Sequence, residues 1–203
     1  KKIVAVVGTY RKGKVIDTAV TKLLEGAEGK GVAVEKIYLT EQTIDFCRNC
    51  RKCTIDSGDK YRGDCVIDDE MGEILDKIDE ADGFVLASPV NFGAVTAIMK
   101  RFIERLAVYG RWKLDGKVRA PELRIKNPSK SAVIIASSTA PAIMGRLFTP
   151  RVLGIMKDAA RLMGARRLDK LWFGMLGASV DTTLKDKDLE KAYRAGEKLA
   201  GSL

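Results

Sequence analysis

Short apolar runs alternate with amphipathic segments along the whole chain, and this alternation limits the possible folds more than any other feature. Continuous apolar residues fill Ile3–Val7, Gly83–Ala87 and, within the predicted strand Ser131–Ala136, residues 132–136. Each run has a length typical of a strand buried on both faces of a parallel sheet. Val32–Leu39 and Leu168–Met175 have weaker strand patterns. Strands separated by helices predict an α/β domain with a doubly wound, five-stranded parallel sheet, right-handed crossovers and helices on both faces.

Apolar residues at helical spacing fill the segments between the predicted strands. The predicted helices are Lys14–Gly29, Asp68–Glu80, Ala94–Val108, Gly145–Met163 and Leu184–Leu203. The charged stretch Gly110–Lys130 contains glycine and proline, and we predict a flap-like excursion there. No linker rich in Gly, Ser or Pro divides the 203 residues, so we expect a single domain over residues 1–203.

The composition limits the kinds of reaction that the side chains can catalyse. The chain contains no histidine, so an imidazole base, metal ligand or partner of a nucleophile is excluded, and the chemistry needs other groups or a cofactor. The net charge of +9 comes from Lys and Arg spread over the whole chain, which favours a solvated surface over a nucleic-acid site. The apolar runs are too short to span a membrane. The Lys-Lys start lacks the layout of a signal peptide, so we expect a cytoplasmic protein.

The loop after the first strand predicts a phosphate site. Residues 8–14 read Gly-Thr-Tyr-Arg-Lys-Gly-Lys and precede a helix, whose N-terminal N–H groups attract anions. Thr9 can donate a hydrogen bond, and Arg11 can bind a phosphate through two hydrogen bonds. The loop nearly matches the magnesium–nucleotide motif, but Val15 stands where that motif needs Ser or Thr. A nucleotide hydrolase is therefore the minor interpretation.

Two further loops follow the third and fourth predicted strands. In such sheets ligands bind beyond the carboxyl ends of the strands, so these loops and the first one converge. Ser88–Gly93 contains a stiffening proline, a flat Phe and a flexible glycine, which suit a planar heterocycle. Ser137–Thr139 begins the other loop with hydroxyl groups. Each loop alone is typical of an ordinary turn, but three at one edge predict a binding site.

The four cysteines lie close together in the sequence, within the predicted cysteine loop of residues 47–65. Cys47, Cys50 and Cys53 follow each other at intervals of three, and eleven residues separate Cys53 from Cys65. This spacing suits an iron–sulfur cluster. Structural zinc more often uses two separated pairs. Free thiols and a disulfide formed in air are the remaining alternatives.

Together these motifs resemble a known family. Gly8-Thr9-x-Arg11-Lys12-Gly13 comes first, then the cysteines with Cys65-Val66-x-Asp68-Asp69-x-Met71, and then Ser88-Pro89-Val90-x-Phe92-Gly93 with Lys100-x-Phe102-Ile103-x-Arg105. In this order they are similar to the NADPH-dependent FMN reductase and iron–sulfur flavoprotein branch of the flavodoxin-like superfamily. The resemblance implies the flavodoxin-like strand order 2-1-3-4-5. It also implies FMN as cofactor, NAD(P)H as co-substrate, and a [4Fe-4S] cluster on the four cysteines as a further option.

The resemblance also assigns the FMN site. The implied contacts are Thr9, Arg11, Lys12, Lys14, Val15, Ile16, Pro89, Val90, Asn91, Phe92, Gly93, Ser137, Ser138 and Thr139. Family members usually have a small polar run ending in Thr after the loop arginine, whereas this chain has Lys14-Val15-Ile16. Backbone N–H groups would therefore do more of the phosphate binding.

The function implied is an FMN-dependent oxidoreductase that passes electrons from NAD(P)H to an acceptor such as a quinone, a flavin, a nitro or azo compound, or a metal. The alternative is an iron–sulfur flavoprotein that acts as an electron carrier. A less favoured alternative is a non-enzymatic protein that binds metal through four cysteines or binds nucleic acid. The resemblance further implies a homodimer or homotetramer and a small-molecule or protein electron acceptor.

Overall fold

A computed structural model describes residues 1–55, 60–113, 121–141, 143, 150–174, 176, 179 and 181–203. Its strands are β1 (Lys2–Val7), β2 (Ala33–Tyr38), β3 (Gly83–Pro89), β4 (Gly110–Arg111), β5 (Glu122–Leu123), β6 (Lys130–Ser137) and β7 (Ala165–Phe173). Five of them form a parallel sheet in the order β2-β1-β3-β6-β7, and β4 pairs with β5 apart from it. This is the predicted order, because β6 and β7 are the fourth and fifth strands of the sheet along the chain.

The helices are α1 (Val15–Glu28), α2 (Lys52–Ile55), α3 (Met71–Glu80), α4 (Ala97–Arg105), α5 (Pro150–Leu162) and α6 (Asp186–Ala200). They cover both faces of the sheet. Ile3, Ala5 and Val7 of β1 pack in one apolar core with α1 and α6, while Val4 and Val6 pack in the other with α3, α4 and α5. This alternation follows from the two-residue period of a strand, and it confirms the doubly wound prediction.

The sheet register brings the loops to one level. Val7 at the end of β1 lies beside Ala87 of β3, and Ala87 lies beside Ile135 of β6. These central strands are buried along almost their whole length, as their continuous apolar sequences predicted. The loops that follow them therefore leave the sheet side by side.

Helices α1 and α6 approach closely because each has a glycine at the contact. A Cβ atom on Gly196 would lie 1.8 Å from the carbonyl oxygen of Leu23, and one on Gly26 would lie 2.1 Å from that of Tyr193. No larger residue fits at either position without a shift of the backbone. This contact fixes α1, and with it the helix N-terminus that follows the first loop.

Several predicted boundaries were wrong by a few residues. The helix predicted over Ala94–Val108 is shorter, because Thr96 caps α4 by accepting the N–H of Met99 at 3.3 Å, and a 3₁₀ turn follows over Leu106–Tyr109. β7 begins at Ala165 rather than Leu168, because Ala165 pairs with Lys130 of β6. Residues 144–149 and Met175, at ends of predicted elements, lie outside the described residues.

The described part of the Gly110–Lys130 excursion lies against the cysteine segment. The backbone N–H of Trp112 donates to the carbonyl of Thr54 at 3.0 Å, and the Arg124 guanidinium donates to the carbonyl of Cys53 at 3.2 Å. Residues 114–120 of this predicted flap lie outside the described residues. Within the part of the chain that the structure describes, no helix is both long and apolar enough to cross a bilayer.

Candidate functional site

A cleft opens at the carboxyl ends of β1, β3 and β6, the edge that the topology predicted. It has a volume of about 160 Å³ and combines residues from the three predicted loops with residues that follow β7. The lining residues are Thr9, Arg11, Lys14, Val15, Ile16, Pro89, Val90, Ser137, Ser138, Thr139, Leu176, Ser179 and Thr182. Most of the predicted contacts are therefore neighbours in the fold, whereas Lys12, Asn91, Phe92 and Gly93 do not line this cleft.

The first loop presents a helix N-terminus to the cleft. The first hydrogen bond of α1 runs from the N–H of Thr18 to the carbonyl of Lys14 at 2.8 Å, so the N–H groups of residues 15–17 have no partner within the helix. The side chain of Lys14, the N-cap residue, has no oxygen that could accept from them. The Thr9 hydroxyl accepts the N–H of Arg11 at 3.2 Å and keeps its own proton to donate.

A buried carboxylate fixes this loop from behind. Asp17 accepts the N–H of Gly13 at 2.6 Å, the hydroxyl of Tyr38 at 2.7 Å and the ammonium of Lys36 at 2.9 Å. Burial alone would raise the pKa of Asp17, but these hydrogen bonds outweigh it and leave the pKa lowered. The ionised carboxylate thus holds Gly13, whose φ of +72° lies in the left-handed region.

Two predicted contacts of the first loop have side chains that are engaged elsewhere in the fold. The Lys12 ammonium pairs with Glu41 and lies 4.1 Å from the centre of the Tyr38 ring, so this cation is directed to β2 rather than to the cleft. Ile16 is 2% exposed and its side chain belongs to the core under α1. At this position the backbone, rather than the side chain, is available to a ligand.

Hydroxyl groups join the first and second loops. Thr96 donates its hydroxyl to the carbonyl of Gly8 at 2.6 Å, and its N–H donates to the Ser88 hydroxyl at 3.0 Å. The N–H of Val90 donates to the carbonyl of Ser137 at 2.8 Å, which joins the second loop to the third. Pro89 and Val90 are thereby held as one apolar wall of the cleft.

The rest of the second loop is a tight turn outside the cleft. Asn91 and Ala94 exchange backbone hydrogen bonds of 2.9 and 3.1 Å, and φ is +49° at Phe92 and +75° at Gly93. The Phe92 side chain is fully exposed. A left-handed conformation is unfavourable for Phe, so this loop holds an apolar side chain in water at a conformational cost.

The fourth wall of the cleft comes from residues after β7 that the sequence analysis missed. Ser138 connects it to the third loop, because its carbonyl accepts the N–H of Leu176 at 3.3 Å and its hydroxyl accepts the Trp172 indole N–H at 3.2 Å. This segment also carries Asp181, whose carboxylate lies 2.8 Å from the Lys14 ammonium. No motif marks the segment, although β7 ends at the same edge of the sheet as the other strands.

The four cysteines lie in a separate segment, and no disulfide joins them. Asn49 and Arg51 between them have φ of +49° and +62°, so the backbone bends sharply there. Among the described residues, no three Cys, Asp or Glu side chains are placed to hold one metal ion. Burial, followed by the neighbouring thiols, raises the pKa of Cys53 to about 11. The cluster on Cys47, Cys50, Cys53 and Cys65 thus stays a prediction.

Arg105 connects the cysteine segment to α4. Its buried guanidinium binds both oxygens of Asp69, at 2.5 and 3.0 Å, and donates to the carbonyl of Asp45 at 3.0 Å and to the sulfur of Cys65 at 3.5 Å. Burial raises the pKa of Asp69, but the hydrogen bonds from Arg105 and from two backbone N–H groups outweigh it and lower the pKa. This ion pair is a missed site feature, although both residues stand in motifs that carried the resemblance.

Comparison with known proteins decides the family. The model of the NADPH-dependent FMN reductase family matches residues 1–125, which include the first two loops, the cysteine segment and α4. The chain belongs to the NADPH-dependent FMN reductase family. Membership makes it an FMN-dependent oxidoreductase, as the resemblance implied.

Relatives of known name agree with this placement. An iron–sulfur flavoprotein of Archaeoglobus fulgidus is 31% identical over 205 residues, which cover 98% of this chain and 79% of that protein. An iron–sulfur flavoprotein of Methanosarcina thermophila is 31% identical over 121 residues, 59% of this chain and 60% of that protein.

Solved structures confirm the flavodoxin-like fold. The NAD(P)H:quinone oxidoreductase from Methanothermobacter marburgensis superposes with a TM-score of 0.70 at 17% identity, covering 98% of this chain and 94% of that one. An FMN-dependent NADH-azoreductase from Bacillus anthracis, in complex with FMN, gives 0.68 at 12% identity over 99% and 98% of the two chains. At these identities the likeness concerns the fold alone.

Proposed function

We propose that the cleft binds FMN and that the protein passes electrons from NAD(P)H to a small-molecule or protein acceptor. One observation carries the proposal. A single cleft joins the N-terminus of α1 and the cations Arg11 and Lys14 to the apolar wall of Pro89 and Val90. In flavin mononucleotide, the phosphate needs the helix N-terminus and the cations, and the ring needs the apolar wall.

The donor groups of the cleft fit that ligand. The N–H groups of residues 15–17 have no partner within α1, and the Thr9 hydroxyl keeps its proton to donate. Lys14 and Arg11 add positive charge beside these donors. The loop therefore offers several hydrogen bonds to an anion, although Val15 and Ile16 carry no side-chain oxygen.

FMN, when bound, supplies the hydride and electron chemistry. The residues of the chain hold and orient it. Pro89 and Val90, fixed through the Val90–Ser137 hydrogen bond of 2.8 Å, keep water from one side of the ring. Ser138 and Thr139, on the neighbouring loop after β6, add polar residues to the lining of the cleft. The chain has no histidine, and the Ser138 hydroxyl donates to the carbonyl of Ala140 at 3.1 Å, so we expect backbone N–H groups and the Thr139 hydroxyl to be the donors to the ring.

Flavin titration tests the proposal. Purified protein, kept free of oxygen, is titrated with FMN and the quenching of flavin fluorescence is recorded, after which NADPH or NADH is added and bleaching of the flavin bands is followed. We expect saturable binding and bleaching. Arg11→Ala should weaken FMN binding about tenfold, while Arg151→Ala, at an exposed site on α5, should not. Absence of FMN binding by the unaltered protein would refute the proposal.

A second candidate function is an electron carrier with an iron–sulfur centre at Cys47, Cys50, Cys53 and Cys65. It is supported by the cysteine spacing, by the sharp bends at Asn49 and Arg51, and by relatives named iron–sulfur flavoproteins. Iron and acid-labile sulfide are measured in protein purified without oxygen. A full complement of iron and sulfide that is lost in Cys50→Ser would support the electron carrier. Iron-free protein that still oxidises NADPH would exclude the carrier and support the reductase.

We also propose a homodimer or homotetramer. Phe92 is fully exposed beside the cleft and Tyr10 of the first loop is about half exposed, and a partner subunit would cover such apolar side chains. Light scattering of the purified protein measures the mass. A monomer across the micromolar range would contradict this part of the proposal.

A further inference from the structure

The phosphate end of the cleft already contains an acidic side chain. The Asp181 carboxylate lies 2.8 Å from the Lys14 ammonium, and Lys14 lines the cleft together with Arg11. Hydrogen bonding to Lys14 and the charge of Arg11 both lower the pKa of Asp181, so its carboxylate is ionised at neutral pH. The two cations of the first loop that line the cleft thus already interact with an anion.

The segment that carries Asp181 is part of the cleft wall. The Asp181 N–H donates to the Ser179 hydroxyl at 3.1 Å, and the Ser179 N–H donates to the Thr182 hydroxyl at 3.1 Å. Ser179 and Thr182 both line the cleft. The carboxylate is therefore placed by a hydrogen-bonded turn whose other members lie where the ligand would bind.

We propose that Asp181 is a specificity-determining residue that competes with the flavin phosphate for Lys14 and so lowers the affinity of the cleft for FMN relative to riboflavin. The inference rests on the proposed flavin binding. Because riboflavin lacks the phosphate, its binding does not require Lys14 to leave Asp181. Lys14 lies next to the helix N–H groups, so the Asp181 carboxylate and the flavin phosphate would compete for the same ammonium.

The size of the effect follows from charge. A phosphate monoester carries about −1.5 to −2 at neutral pH. A carboxylate about 5 Å from it in water would repel it by an amount equal to roughly a tenfold change in dissociation constant, and salt reduces this further. Removing the charge of Asp181 should therefore tighten FMN binding by about three- to tenfold.

The test compares Asp181→Asn with Asp158→Asn. Asp158 is exposed on α5 and does not line the cleft, so its variant has the same net charge without the local change. Dissociation constants for FMN and for riboflavin are measured by fluorescence quenching at low and high NaCl. We expect Asp181→Asn to tighten FMN binding about three- to tenfold at low salt and less at high salt. Riboflavin binding should stay within about twofold, and Asp158→Asn should change neither.

A second probe separates this inference from flavin binding itself. The shift of Tm caused by inorganic phosphate, against chloride of equal ionic strength, should be larger for Asp181→Asn than for the unaltered protein. Equal or weaker FMN binding by Asp181→Asn, or equal changes for FMN and riboflavin, would overturn the inference. If the unaltered protein binds no flavin, the proposed function fails, and an unchanged phosphate response would then overturn the role of Asp181 as well.

Discussion

Replacing Gly196 with alanine should destabilise the fold by about 2 kcal/mol, because this glycine lets α6 lie against α1. The new Cβ would stand 1.8 Å from the Leu23 carbonyl oxygen and 3.0 Å from the Ala27 nitrogen, whereas ordinary contacts begin at 3.4 Å. Both obstacles are backbone atoms of α1, so neither can rotate away. The helices must separate, or one must bend.

The magnitude combines two opposing effects. Overpacking of a tight contact costs about 1–3 kcal/mol, and the upper end applies here because the obstacles are backbone atoms. Alanine recovers about 1 kcal/mol relative to glycine in a helix interior. The net loss is therefore about 2 kcal/mol, and displacement of α1 should also weaken FMN binding at its N-terminus.

Urea unfolding followed by circular dichroism measures the change, and Gly154→Ala is the matched control. Gly154 lies inside α5, and a Cβ there would meet nothing within 4 Å. The control variant should gain up to about 1 kcal/mol from helix propensity alone. If Gly196→Ala were as stable as the unaltered protein, or if both variants shifted in the same direction, the packing argument would be refuted.

Three further outcomes are expected. Asp69→Asn should cost about 3 kcal/mol by leaving the buried Arg105 charge uncompensated. Since the folded pKa of Asp69 lies below 3.8, its stabilisation is present above that pH and lost as the pH falls through the lowered pKa; urea unfolding at several pH values should show an acid-dependent loss that the variant lacks. Thr96→Val removes the 2.6 Å hydrogen bond to the Gly8 carbonyl. It should lower the free energy of unfolding by about 2 kcal/mol and weaken FMN binding. Thr96→Ser keeps the hydroxyl and is the control, which should retain both the stability and the FMN affinity. For the dissociated subunit, Phe92→Asn should raise the free energy of unfolding by up to about 1 kcal/mol, because Asn tolerates the left-handed conformation better. Lower stability of this variant, at a concentration where light scattering shows a monomer, would show that the Phe92 side chain has a stabilising contact within the subunit.

The sheet was predictable because its central strands are buried on both faces and therefore consist of unbroken apolar residues. β7 was predicted less well, since it begins with Ala165 followed by the exposed Arg166 and Arg167. The start of β7 is a strand because its backbone pairs with Lys130 and Ser131 of β6. Pairing with a distant strand produces no local pattern in the sequence.

The cleft was predictable to the extent that topology decides it. Carboxyl ends of parallel strands meet at one edge, so the first three loops were found. The direction of a flexible cation was not predictable, because only the folded chain shows that Lys12 meets Glu41 and Lys14 meets Asp181. The role of Asp17 in holding the first loop was missed. Acidic residues are common in the first turn of a helix because they interact favourably with the helix dipole, so this one did not stand out in the sequence.

Helix α4 connects the two candidate redox sites, the cleft and the cysteine segment. Its N-cap Thr96 binds the Gly8 carbonyl at the cleft, and its last residue, Arg105, contacts Cys65. Nine residues rise about 13 Å along the axis. Within one chain, α4 therefore fixes where Cys65 lies relative to the first loop, and electrons exchanged between centres bound at the two sites would have to cross a span that this helix sets.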